Sequence, residues 1–237
     1  MGLAISLILT SCAKHNKDDK THHDLGSGDK SNLPVILEAL IEHAEYCKDI
    51  YDSGGNQKDE VAFEVKQENG ISIIVIRGTA NDANVLSDVD VRLVKDGRLG
   101  IYLHKGFRHA SLGVMEIIDN TKTLEHTVHV TGHSLGGAIS QIIGMWLHKR
   151  GKNVQVFSYG SPKVSNQVLD SQPTHWRVVR RSDAIPFTPP WPYAHTGLFI
   201  DSQTLDWGPD NDNGLISETD GLDHAIAKYV TTLKEQR

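Results

Sequence analysis

A chain of 237 residues with 38% hydrophobic and 23% charged residues has the size and balance of one globular α/β domain. Its net charge of −6 and the lack of a Lys/Arg-rich run leave no basic footprint for a phosphate backbone, so nucleic acid is excluded as an expected partner. Of the two cysteines, Cys47 has no partner if Cys12 is lipidated, which excludes a disulfide framework and leaves stability to a packed core.

The first segment, "GLAISLILT", is apolar for about nine residues, less than half of the ~20 that a membrane-crossing helix needs. It runs into Leu9, Thr10, Ser11 and Cys12, which resembles the end of a bacterial lipoprotein signal peptide, although no Lys or Arg precedes it. That resemblance implies residues 1–12 as a signal segment, lipidation of Cys12, and an exported bacterial protein attached to a membrane of the cell envelope, with a secreted protein as the alternative. Residues 13–31 are polar, charged and aperiodic, which reads as a solvated tether. His15, His22 and His23 lie here without cysteines or an i, i+4 pair to fix them, so no metal is expected.

The folded domain is expected over 32–237. "NLPVILEALIEHAEYCKDIY" repeats apolar residues at helical spacing, with Val35, Ile36, Ala39, Leu40, His43, Ala44 and Cys47 on one side, Asn32 as N-cap and Pro34 in the first turn. "VAFEV" and "ISIIVIRG" flank a polar "ENG" turn, a hairpin whose second strand is a continuous apolar run suited to burial on both faces. Strands and helices then alternate: a helix from about Phe107 to Leu124, strand "HTVHVTG", a helix from Leu135 to Arg150 ended by Gly151, and strand "VQVFSYG". A short helix near Asn166 to Leu169, strand "WRVVR", the segment "TGLFIDSQ" and a helix from about Leu222 to Lys234 complete the plan. Such alternation predicts βαβ units, a mostly parallel central sheet and helices on both faces.

Within this frame, "VTGHSLGGAIS" carries Gly-x-Ser-x-Gly. With 21 glycines and 17 serines, chance supplies that pattern in about one such chain in eight, so its context must decide. The context is strand, sharp turn, helix, which projects Ser134 from the carboxyl end of a central strand and aims the backbone N–H groups of a helix start at developing negative charge. A serine needs a base to take its proton and an acid to orient that base. His133 sits in the turn itself and cannot swing back onto its neighbour, which leaves His175, His195 and His224 downstream. The residues alone do not choose among them.

Several motifs in order resemble the fungal-type, or class 3, lipase family of the α/β-hydrolase superfamily, over roughly Asn32 to Tyr229. They are "IIVIRGT", "HKGF", "VTGHSLGGAIS", "VFSYGSPKVSN", "WRVVRRSDAIPFTPP", "YAHTG" and "DHAIAKY". The resemblance implies an α/β-hydrolase fold with Ser134 as nucleophile, Asp183 as acid and His224 as base, ahead of Asp201, Asp206 and Asp223 as competing acids. It implies that Leu135 and Thr79 form the oxyanion hole, and that His195, in Tyr-x-His-x-Gly, is a structural histidine. The family's lid would lie between Thr79 and about Arg98. There Val85, Leu86, Val89 and Leu93 give a thin helical stripe, while Val89, Val91 and Leu93 alternate as in a strand. With Val85 where a lid tryptophan is common, and with Asp82, Asp88 and Asp90, the segment has little apolar area for an oil surface.

The acidic stretch "DWGPDNDNGLISETDGLD" fails the EF-hand pattern, because counting back from Gly214 puts Pro209 at the first ligand position. It reads as a solvated loop, and the chemistry calls on no metal or cofactor. The expected activity is hydrolysis of acylglycerols or shorter carboxylic esters through an acyl-enzyme. A phospholipase A1 or a feruloyl-type esterase is the alternative within the class. A lipid-anchored binding protein without chemistry is the alternative outside it.

Overall fold

A computed structural model describes residues 33–58, 61–78, 90–209 and 222–237. The segments assigned to signal and tether, Cys12, Thr79, most of the lid segment and most of the acidic loop lie outside the described residues.

The apolar runs become the middle of a sheet. The elements in chain order are α1 (Leu33–Ser53), β1 (Asn56–Lys58), β2 (Val61–Glu68), β3 (Ile71–Ile76), β4 (Leu93–Lys95), β5 (Tyr102–His104) and α2 (Lys105–Thr121). They continue with β6 (Thr127–His133), α3 (Leu135–Lys149), β7 (Asn153–Tyr159), β8 (Thr174–Val179), β9 (Leu198–Asp201), β10 (Trp207–Pro209) and α4 (Ile226–Lys234). Eight strands form one sheet in the order β1-β2-β3-β6-β7-β8-β9-β10, and β4 with β5 makes a separate antiparallel ladder. The five strands β3, β6, β7, β8 and β9 run parallel, with β1 and β2 on one edge and β10 on the other antiparallel. Parallel neighbours require crossovers; α2 and α3 supply those from β3 to β6 and from β6 to β7 on one face, α1 and α4 cover the other, and the β7–β8 and β8–β9 crossovers contain no α-helix.

Side-chain alternation along each strand divides the core in two. On β6, Val128 and Val130 pack with Phe107, Ile118, Ile142 and Trp146 beneath α2 and α3. Across the sheet, Phe157, Tyr159, Trp176 and Val178 pack against Leu40, Ala44, Tyr229 and Leu233 of α1 and α4. The face of α1 that is buried is wider than its spacing suggests. Leu37, Ile41 and Ile50 are buried as well, because the helix is wedged between the sheet and α4.

The expected short helix at Asn166–Leu169 does not form. Ser165 bridges Leu103 on one side and Ala194 on the other. Its hydroxyl donates to the Tyr102 carbonyl, and the Gln167 side chain accepts from the Tyr102 amide, so tertiary bonds hold the segment in a bend. In the lid segment, the strand β4 starts only at Leu93, and Val91, on irregular backbone, is not part of it; residues 79–89, Val89 among them, lie outside the described residues. The last helix is interrupted. Leu222–His224 form a 3-10 turn, Ala225 is extended, and α4 starts at Ile226. Among the described residues no helix is long and apolar enough to cross a membrane.

Candidate active site

Ser134 follows the last residue of β6 and is the N-cap of α3, with φ 58° and ψ −127°. A side chain at positive φ is crowded by its own backbone, so the surrounding turn must hold it there. Ser134 N–H donates to the Tyr159 carbonyl on β7, and the Ser134 carbonyl accepts from Gly137 N–H and Ala138 N–H. The flanking glycines are required by close approach rather than by flexibility. A Cβ on Gly132 would lie 2.3 Å from the Gly136 carbonyl carbon, and one on Gly136 would lie 2.2 Å from the Ile76 oxygen. Backbone crowds backbone at both positions, which is why this turn takes the Gly-x-Ser-x-Gly spacing. As the first residue of α3, Leu135 has an N–H with no acceptor within the helix, and it lies at the positive end of the helix dipole.

Asp183 lies just beyond the end of β8, in a turn where its Oδ1 accepts from Ile185 N–H at 2.9 Å. Its other oxygen, Oδ2, is 2.7 Å from His224 Nδ1 and 2.6 Å from the Tyr229 hydroxyl. A carboxylate only accepts, so both neighbours donate to it, and in the neutral His224 ring Nε2 is left with a free lone pair. Among the described residues that Nε2 has no hydrogen-bond partner, and neither does Ser134 Oγ; both atoms are buried. Asp183 and His224 are therefore joined, while the bond between Ser134 and His224 is not formed. Room for the pair comes from Gly160, at φ +56°. A Cβ there would stand 2.8 Å from Asp183 Oδ2 and 3.0 Å from His224 Cε1.

The competing groups have other engagements. Asp201 accepts from Arg181 Nε at 2.5 Å, Asp206 from the Thr204 hydroxyl, and Asp223 from Lys228 Nζ. His175 Nε2 is 2.8 Å from Ser158 Oγ, and burial holds the His175 pKa down at about 3. His195 is half-buried on the loop before β9. His224, expected to open the last helix, instead ends the 3-10 turn before it. Among the described residues no group of three or more His, Cys, Asp or Glu is placed to hold a metal ion.

Three contacts were not legible in the sequence: Tyr229 on Asp183, Gly160 beneath the acid–histidine pair, and the buried His133 ring against the His224 backbone. Tyr229 and His224 fall together in "DHAIAKY", and the helical spacing there is the one local hint. Burial, foremost, and then Asp183 push the Tyr229 hydroxyl well above the usual phenol range, so it remains a donor.

The family described as "Lipase (class 3)" matches residues 73–193 of the chain. The chain is 29% identical over 160 residues to a protein of Fusarium solani named "Secreted mono- and diacylglycerol lipase 1", covering 62% of this chain and 47% of that one. It is 30% identical over 148 residues to a lipase of Rhizopus niveus, covering 53% and 37%. The chain thus spans about half, or less, of the length of these curated relatives. The solved triacylglyceride lipase of Rhizomucor miehei superposes with a TM-score of 0.65 at 23% identity, covering 83% of this chain and 94% of that one. Its likeness, with the mostly parallel sheet and the helices on both faces, establishes an α/β-hydrolase fold. With that fold and a family match over half its length, the chain belongs to the class 3 lipases of the α/β-hydrolase superfamily.

Proposed function

We propose that the chain is a serine hydrolase that cleaves acylglycerols or shorter carboxylic esters. The observation that carries this reading is the Asp183–His224 hydrogen bond, set beside a serine held at positive φ on a strand-to-helix turn. In the reaction, His224 Nε2 takes the Ser134 hydroxyl proton as Oγ attacks the ester carbonyl, and Asp183 holds the ring and offsets its positive charge. The Leu135 N–H donates to the tetrahedral oxyanion, a contact worth ~3 kcal/mol of barrier. Thr79 is the second donor by family resemblance. His224 returns the proton to the departing alcohol, leaving an acyl group on Ser134, and water activated by the same imidazole releases the acid.

The acylglycerol class rests on the names of the relatives, the Fusarium solani protein in particular. An exported location rests on the same "secreted" description and on the apolar N-terminal run. Attachment through a lipidated Cys12 is the finer form of that proposal. Intact-mass measurement of membrane-extracted protein tests it, and an unmodified Cys12 with Met1 retained overturns it.

Hydrolysis of p-nitrophenyl esters from short to long acyl chains, by the wild type and by Ser134→Ala, tests the activity. Ester cleavage by the wild type and none by the variant is expected. No cleavage at any chain length overturns the enzyme reading, and activity that survives in Ser134→Ala overturns the role of that serine.

A further inference from the structure

We infer that His133, backed by Tyr51, is a positioning residue that ties the backbone of His224 to the turn bearing Ser134; the inference rests on the ester-hydrolase reading above. His133 is the last residue of β6 and the chain neighbour of Ser134, and its ring lies on the face covered by α1 and α4. Its Nε2 is 2.6 Å from the His224 carbonyl oxygen, and its Nδ1 is 2.9 Å from the Tyr51 hydroxyl on α1. A carbonyl can only accept, so Nε2 carries the hydrogen and Nδ1 accepts from Tyr51. Burial, with His224 next to it, holds the His133 pKa at about 3, which keeps this single tautomer through the neutral range.

The bond is one residue from the nucleophile and directly on the base. His224 sits in a 3-10 turn, Ala225 is extended, and the next backbone bond runs from Lys228 N–H to the Ala225 carbonyl, so the His224 carbonyl falls outside the ladder of α4. The His133 ring supplies the donor that the helix does not. The two rings also pack together, with centroids 4.6 Å apart. On the other side, a Cβ on Gly78 would lie 2.6 Å from the Tyr51 oxygen and 2.8 Å from the His133 carbonyl oxygen, so the same pair is packed against the residue that precedes Thr79. The His133 ring thereby joins the strand that ends at Ser134 to the backbone of His224, and its partner Tyr51 packs against Gly78. With both nitrogens engaged, His133 has no lone pair for the serine hydroxyl and cannot replace His224 as base.

An apolar side chain of similar volume would fill this space but would release the His224 carbonyl, so geometry at the base, not substrate affinity, should suffer. Small misplacements of a reacting group cost about 10²-fold in rate. The test uses the full chain with p-nitrophenyl butyrate and measures kcat, KM and the thermal midpoint for the wild type, His133→Leu, His133→Gln and Tyr51→Phe. For His133→Leu, kcat should fall about 10²-fold with KM within about twofold. His133→Gln places an amide N–H where Nε2–H was and should recover most of the loss. Tyr51→Phe should lower kcat by a smaller factor, also without a change in KM. A His133→Leu kcat within twofold of an active wild type overturns the inference alone, as does a His133→Gln variant no better than His133→Leu. If His133→Leu does not fold, Tyr51→Phe decides, and an unchanged kcat there overturns the inference. A wild type inert on every ester overturns the ester-hydrolase reading and this inference with it.

Discussion

Acidification should destabilise this protein well above the pH at which carboxylates titrate, because several histidines are buried as neutral rings. Burial is the leading cause in each case. It holds His129 at about 4 and His133 and His175 at about 3, and it lowers His43, which shares a 3.0 Å hydrogen bond with His129. In the unfolded chain the same groups titrate near 6.5. Between those values the unfolded state binds more protons than the folded one, so stability is complete above about pH 6.5 and is lost as pH falls toward 4. Well below 6.5 each such histidine costs about 1.4 kcal/mol per pH unit. By pH 5 that is about 2 kcal/mol for each of His129, His133 and His175, roughly 6 together, against the 5–15 kcal/mol by which domains of this kind are stable. Thermal or urea unfolding followed by circular dichroism from pH 8 to pH 5 at constant ionic strength reads the slope. His175→Gln can keep a hydrogen bond to Ser158 but cannot titrate, so its slope should be shallower by about one proton. A midpoint that stays flat between pH 7 and pH 5, or an unchanged slope in His175→Gln, would refute the argument.

Gly132→Ala places a methyl 2.3 Å from the Gly136 carbonyl carbon, where backbone must move to admit it. It should destabilise the fold by about 1–3 kcal/mol or more and remove ester hydrolysis, and a wild-type urea midpoint would show that the strand and helix are not so closely packed. Tyr229→Phe deletes one of the donors to Asp183 while leaving the ring in the core. Its loss should lower stability by about 1.5–3 kcal/mol in urea unfolding, the range for hydrogen bonds to a charged group, and an unchanged midpoint would deny that the bond holds the carboxylate.

How much could be read from the sequence differed by element. The strand, turn and helix around Ser134 were legible, because the run Thr127–His133, the paired glycines and the apolar stripe of α3 each satisfy a local rule. The pairing of Asp183 with His224 was legible only through family motifs, since the two are brought together across 41 residues by the sheet. The edge strands β1 and β10 have three residues each, "NQK" and "WGP", too short to show a period. The helical look of Asn166–Leu169 lost to side-chain bonds with Tyr102, a tertiary effect that no local window contains. At the interrupted last helix, too, a distant partner is involved: the His224 carbonyl bonds the His133 ring from the far end of β6. Gly160 and Tyr229 entered the site for comparable reasons, each through a neighbour distant in sequence.

The central claim is that Ser134 is the nucleophile activated by His224. A fluorophosphonate probe reports this directly, because it phosphonylates a serine only where an adjacent base has made it reactive. Peptide mapping by mass spectrometry after labelling should place a single adduct on Ser134, with labelling lost in Ser134→Ala and strongly slowed in His224→Ala. An adduct on another serine, or a Ser134 adduct that forms equally fast without His224, would contradict the account.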